Sequence, residues 1–114
     1  MDKSLFTELR AEAILFWMRS FDADLEETPE PDELEAIGTR LDLYVAMAVL
    51  RFITGLTAAD VVAASPKFVS VESFYMQRSR FKSRASGTEL RLYRQIEAGV
   101  MASLSNDRRR VLVR

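Results

Sequence analysis

Apolar residues in the first twenty positions recur at helical spacing. Phe6, Leu9, Ala13, Phe16 and Trp17 fall along one face of a stretch that Ser4 can cap, so the pattern predicts an amphipathic helix over 4–20. The following segment, 22–32, is acid-rich and interrupted by Pro29-Glu30-Pro31; its composition cannot bury itself, and it is expected to be a flexible loop. A second helix should open at Asp32 or Glu33, where acids complement the helix dipole, and stop with Gly55 at the C′ position. Its interior, 41–50, is apolar on nearly every side, which places it at the centre of a bundle.

Shorter signals follow. Thr57 caps a third helix in which Asp60 stands at N3, the spacing of a capping box, with Val61 and Val62 facing inward and Ser65-Pro66 ending it. Ser70 caps a fourth over 70–84, stopped by Ala85-Ser86-Gly87. There Val71, Phe74, Tyr75, Arg78 and Phe81 share one face, Ser73, Gln77, Arg80 and Arg84 lie on the other side, and Lys82 and Arg78 sit at the margins. Thr88 is the expected cap of a last helix with the stripe Leu92, Tyr93, Ile96, Val100 and Leu104. Met18, Met47 and Met76 are expected in the core. No strand pattern of useful length occurs. The expected fold is all-α, a compact bundle of about five helices containing a helix-turn-helix, with an additional N-terminal amphipathic helix. We read 1–114 as a single domain: N-terminal helix and acidic loop over 1–32, core over 33–105, basic tail over 106–114.

Composition narrows the chemistry. Among 114 residues there is no cysteine and no histidine, so disulfides, thiolate metal sites and every histidine-based nucleophile pair are unavailable. The acids concentrate in a segment too polar to raise a carboxyl pKa by burial. We therefore expect no enzyme, no cofactor and no metal. The longest apolar run, 43–50, is too short to span a bilayer, and the N-terminus lacks an apolar signal region; the expected setting is cytoplasmic, away from membranes.

Charge is split by position. Residues 1–60 hold 5 Lys/Arg against 13 Asp/Glu, and residues 61–114 hold 11 against 4, although the whole chain nets only −1. A short capped helix, a tight turn and a second helix with a cationic outer face meet the needs of a helix-turn-helix, whose second helix lies in the DNA major groove. In that arrangement Ser70, Ser73 and Gln77 would reach base edges, whereas Lys67, Arg78, Arg80, Lys82 and Arg84 suit phosphates.

The run Val45-Ala46-Met47-Ala48-Val49-Leu50-Arg51-Phe52-Ile53-Thr54-Gly55-Leu56-Thr57-Ala58-Ala59-Asp60-Val61-Val62 resembles the C-terminal DNA-binding domain of the bacterial replication initiator DnaA, which shares its fold with the Trp repressor. Thr54-Gly55-Leu56-Thr57 is the sharpest point of similarity. The resemblance implies a recognition helix over 70–84 and double-stranded DNA as partner. It departs where the family carries Gly-Arg-Asp-His-Thr-Thr-Val: here the stretch is Ser65-Pro66-Lys67-Phe68-Val69-Ser70-Val71. Lys67 and Ser70 can replace one arginine and one threonine, but the Asp-His pair has no equivalent.

Two functional readings follow. The first is a small DNA-binding regulator of transcription or replication. The second is a helical protein-interaction module or anti-regulator that keeps the fold without reading bases. Phe16, Trp17 and Phe21 either form an interface, for a homodimer or another protein, or simply cover the central helix; the acidic segment 22–35 is a second candidate docking element.

Overall fold

A capping carboxylate, not Ser4, starts the chain's first helix. In the computed structural model, which describes residues 1–22, 29–65 and 67–106, Asp2 Oδ1 accepts hydrogen bonds from the Ser4 backbone N–H at 2.8 Å and its hydroxyl at 3.0 Å. Those bonds hold the Asp2 carboxyl below the usual carboxylate range and open α1 (Lys3–Asp22). Four further helices follow: α2 (Pro31–Phe52), α3 (Ala58–Ala64), α4 (Val71–Arg84) and α5 (Gly87–Asn106). The all-α expectation with about five helices is met, and the described residues contain no strand.

Helix ends follow local hydrogen bonding. α2 begins earlier than expected because Pro31, which has no N–H to satisfy, occupies its first turn, and the Glu30 N–H donates to Glu33 Oε2 at 3.3 Å. At the other end Ile53 is the C-cap, its N–H bonded to the Val49 carbonyl at 2.9 Å. Gly55 is therefore not the C′ residue; at φ +88° it supplies the left-handed step of the turn into α3. Thr57 and Asp60 form the expected capping box, with Asp60 N–H donating to Thr57 Oγ1 at 3.2 Å and Thr57 N–H to Asp60 Oδ2 at 2.9 Å. Thr57 bonds keep the Asp60 carboxyl low. Ser70 caps α4 as expected, accepting from Ser73 N–H at 3.0 Å. α5 is capped by Ser86, which accepts from Glu89 N–H at 3.2 Å, rather than by Thr88.

α2 is the central helix, and Leu41, Leu43, Tyr44, Val45, Ala46, Ala48 and Val49 are all buried. α5 lies along both α1 and α2, α3 packs on α1 and α2, and α4 joins the bundle through α2 and α3. Rings of Tyr44, Phe81 and Tyr93 meet edge to face at 5.4 to 5.8 Å, tying α2, α4 and α5 together. Trp17 belongs to this core, being 2% exposed and edge-on to the half-buried Phe21 at 5.2 Å; it is not an interface residue. The opposite correction applies to Tyr75, Met76 and Met18, which are 46%, 52% and 51% exposed. Their stripes are only as wide as the neighbouring helices, and these three positions fall outside them.

Two acids expected at the surface are interior. Asp42 and Glu33 are 3% and 6% exposed, and each carboxylate faces an arginine, Arg10 and Arg91 respectively. The acidic segment is accordingly not one flexible loop: 31–35 is helical and Glu33 is sequestered, while 23–28 lies outside the described residues, as do Pro66 and the basic tail 107–114.

The Tyr44 hydroxyl is buried and finds no hydrogen-bond partner among the described residues. Removing it with Tyr44→Phe should leave neutral-pH stability unchanged or raise it by up to ~1 kcal/mol, because no bond is lost and a desolvated hydroxyl disappears. Burial pushes its pKa up to about 12 from an ordinary 10.0. The neutral phenol is thus the form that folding favours: its contribution is complete below pH 10.0 and is lost as pH rises through about 12. Thermal melts from pH 9 to 12 should show a falling Tm, with a smaller fall in Tyr44→Phe. Tyr93, pushed up by burial and by Glu97, leaves a residual alkaline sensitivity in that variant.

Candidate functional site

The segment from Ser65 to α4 is positioned by a buried polar relay. Arg10 Nε donates to Asp42 Oδ1 at 2.7 Å, the buried Ser65 hydroxyl donates to Asp42 Oδ2 at 3.3 Å, and the Lys67 N–H donates to Ser65 Oγ at 3.3 Å. This relay links α1, α2 and the chain leaving α3. Phe68 inserts below it, 8% exposed and edge-on to Phe74 at 5.3 Å. Nothing in local spacing pointed to Asp42, since it sits in an apolar run where a lone acid reads as a surface position; its partners lie 32 and 23 residues away in sequence.

α4 carries the expected cations but distributes them differently. Phe74 and Phe81 bury one face. The opposite ridge consists of Glu72, Tyr75, Met76, Ser79 and Ser83, all exposed. Ser73 and Gln77, expected to point outward, are half-buried on the flank, and Gln77 Nε2 donates to Ser73 Oγ at 3.2 Å. Ser70 is also half-buried, with its hydroxyl engaged as the cap. The three polar side chains taken as base readers therefore satisfy one another or the backbone. The ridge residues escape sequence reading because a tyrosine and a methionine at helical spacing resemble core.

The cations straddle that ridge. On one flank, Arg80 and Arg84 are exposed and line a cleft of about 390 Å³ with Gln77 and, from α2, Thr39 and Arg40. On the other flank, exposed Lys82 and half-buried Arg78 border a second groove, of about 610 Å³, together with Arg51 and Arg94. Arg78 is held over the rings of Phe74 and Tyr75, at 5.4 and 4.9 Å from their centroids, which fixes its direction. Arg40 and Arg51 are paired with Glu89 and Glu97 of α5. Lys67, Arg80, Lys82 and Arg84 make no ion pair among the described residues.

The aromatic trio divides as well. Phe16 is 41% exposed, Phe21 is half-buried and Trp17 is interior. No group of acids among the described residues is arranged to ligate a metal, and none of the described helices is long and apolar enough to cross a membrane. No protein-family model, curated protein or solved structure matches this chain, so the likeness to the DnaA C-terminal domain rests on its residues alone.

Proposed function

We propose that this chain is a small DNA-binding regulator, acting in transcription or replication, that uses α3 and α4 as a helix-turn-helix with α4 as recognition helix. The observation that carries the reading is the straddling of the exposed α4 ridge by cations that make no ion pair among the described residues, on both flanks. A helix seated in the major groove has a phosphate wall on either side, so Arg80 and Arg84 on one flank and Lys82 on the other match the two backbones. Glu72, Tyr75, Met76 and Ser79 then face base edges: Ser79 can donate or accept, Glu72 can accept from a cytosine amino group, and Met76 offers an apolar contact to a thymine methyl. Lys67, in the segment between α3 and α4, adds a further phosphate contact.

Fluorescence anisotropy with a labelled duplex tests this reading. Four neutralised phosphates should give a log–log salt slope of about −3.6. Arg80→Ala with Arg84→Ala should flatten the slope by about 2 and weaken binding about 10- to 100-fold. Ser79→Ala should change sequence preference and leave the slope intact. Absence of any binding at low salt rejects the proposal.

The second reading, a protein-interaction module, is favoured by one observation: Tyr75 and Met76 put apolar area at the middle of the same exposed ridge. The two readings part on the arginines. A docking module predicts that Tyr75→Ala and Met76→Ala abolish partner binding while Arg80→Ala and Arg84→Ala leave it unaltered.

A further inference from the structure

We infer that the cleft between α2 and α4 is a phosphate-binding pocket, with Arg40, Arg80 and Arg84 as its anion ligands. The three arginines border one space of about 390 Å³, and Glu89 of α5 is the single acid on its wall. Arg80 and Arg84 stand four residues apart on one face of α4, a spacing at which like charges repel, and Arg40 adds a third cation from α2. Neither Arg80 nor Arg84 meets an acid among the described residues, and Arg40 reaches Glu89 only at 3.7 Å, beyond hydrogen-bond distance. The guanidinium hydrogen bonds of the described residues come from Arg10, Arg51 and Arg91 instead. The donors around this cleft are unspent.

Charge and shape select the ligand class. Three guanidiniums against one carboxylate leave an excess of two positive charges, which a phosphate monoester, carrying about −1.5 to −2 at neutral pH, balances and a single carboxylate does not. A guanidinium fork matches two phosphate oxygens at once, and a tetrahedral phosphate offers acceptors to several forks. Gln77 borders the same space; its Nε2 spends one of two hydrogens on Ser73 and keeps the other to donate. Leu43 and Phe81, both buried, line the cleft as well and accommodate a small organic body.

The phosphate has two sources, a small phosphorylated molecule or the backbone of a duplex lying along α4. A free ligand seated in the cleft takes Arg80 and Arg84 away from DNA, and that consequence, like the duplex source, rests on the reading of α4 as a recognition helix. Binding of a free phosphate in the cleft does not.

Calorimetric titration of the full chain with phenyl phosphate, with no duplex present, tests the pocket. Phenyl phosphate should bind with a Kd of about 1 mM or tighter, and benzoate, with the same ring and one charge, at least about tenfold more weakly. Arg40→Gln, Arg80→Gln and Arg84→Gln should each weaken phenyl phosphate about tenfold. Lys82→Gln and Arg94→Gln, which remove cations of the other groove, should leave it unchanged. All five positions are exposed, and circular dichroism melts check that each variant is folded. In a second arm with duplex, Arg40→Gln should flatten the salt slope by about 1. Phenyl phosphate binding with this pattern assigns the cleft to a free ligand; no such binding, together with the flattened slope, assigns it to the duplex backbone. The inference is overturned if benzoate binds as tightly as phenyl phosphate, or if Lys82→Gln and Arg94→Gln weaken binding as much as the cleft variants do. It is equally overturned if phenyl phosphate does not bind up to about 10 mM and Arg40→Gln leaves duplex binding unaltered. A chain that binds no duplex at all strikes only the DNA reading, and the phenyl phosphate arm then decides the pocket alone.

Discussion

Replacing Asp42 with alanine should destabilise this protein by about 3 kcal/mol, the low end of the range for breaking a buried ion pair. The low end applies because the Arg10 side chain is 42% exposed while that of Asp42 is 4% exposed, so the liberated guanidinium can rehydrate. A loss of that size in a chain of this length lowers Tm by about 10–15 °C. Arg10→Ala should cost as much or more, since it strands the carboxylate inside with only the Ser65 hydroxyl at 3.3 Å as partner. The double variant should fall well short of the sum, because both single changes break the same contact. Asp42→Ala should also free the Ser65 hydroxyl and, through it, raise hydrogen exchange at the Lys67 amide, the last link in the relay. A Tm within about 3 °C of wild type would refute the assignment of Asp42 as a structural anchor.

Gly99 is the second sensitive position. A Cβ built there lies 3.0 Å from the Ala13 Cα, 3.0 Å from the Phe16 Cβ and 3.3 Å from the Ala13 carbonyl. Two of those three atoms are backbone, so relief requires α1 and α5 to move apart along their contact. Alanine in a helix interior is ordinarily worth about 0.5–1 kcal/mol over glycine, and here the overpacking should outweigh it. We expect Gly99→Ala to be net destabilising by about 1–2 kcal/mol and Gly99→Leu by more than about 3 kcal/mol. Gly38, also helical but with nothing within 4 Å of a built Cβ, supplies the contrast: Gly38→Ala should stabilise by about 0.5–1 kcal/mol. Chemical denaturation of the three variants measures both signs. Gly99→Ala behaving like Gly38→Ala would mean that the two helices are not in tight contact.

Much of the helical framework was legible because its signals act over three or four residues. The Thr57-Asp60 box and the Ser70 cap are hydrogen bonds within one turn, and both were readable directly. The misreadings at helix ends came from competing candidates at adjacent positions: Asp2 against Ser4, Pro31 against Asp32, Ser86 against Thr88. In each case a residue one or two positions earlier either accepts a first-turn N–H, as Asp2 and Ser86 do, or, as Pro31, has no N–H to satisfy, and spacing alone does not rank such neighbours. The stripe of α4 illustrates a different limit. Tyr75 and Arg78 flank the Phe74–Phe81 line on the same side, and periodicity cannot decide how far round the helix the core extends; the neighbouring helices fully bury only the two phenylalanines of α4.

The candidate site was half legible for the same reason. Lys67, Arg80, Lys82 and Arg84 are cationic and exposed whatever the details of packing, so their clustering could be read from order along the chain. Which side chains occupy the ridge between them depends on the rotation of α4 against the bundle, and that rotation exchanges Ser73 and Gln77 for Tyr75, Met76 and Ser79.

Taken alone, the amino-acid order determines an all-α chain, a central helix apolar on nearly every side, a capped short helix leading to a capped cationic one, and a charge division between its two halves. These are consequences of backbone hydrogen bonding, side-chain size and hydropathy, which operate between near neighbours. Only the tertiary structure decides which charges leave the surface. Asp42 meets Arg10 across 32 residues and Glu33 meets Arg91 across 58; no local rule marks such a pair, because the cost of burying each charge is offset only once distant helices have docked and brought its partner within reach.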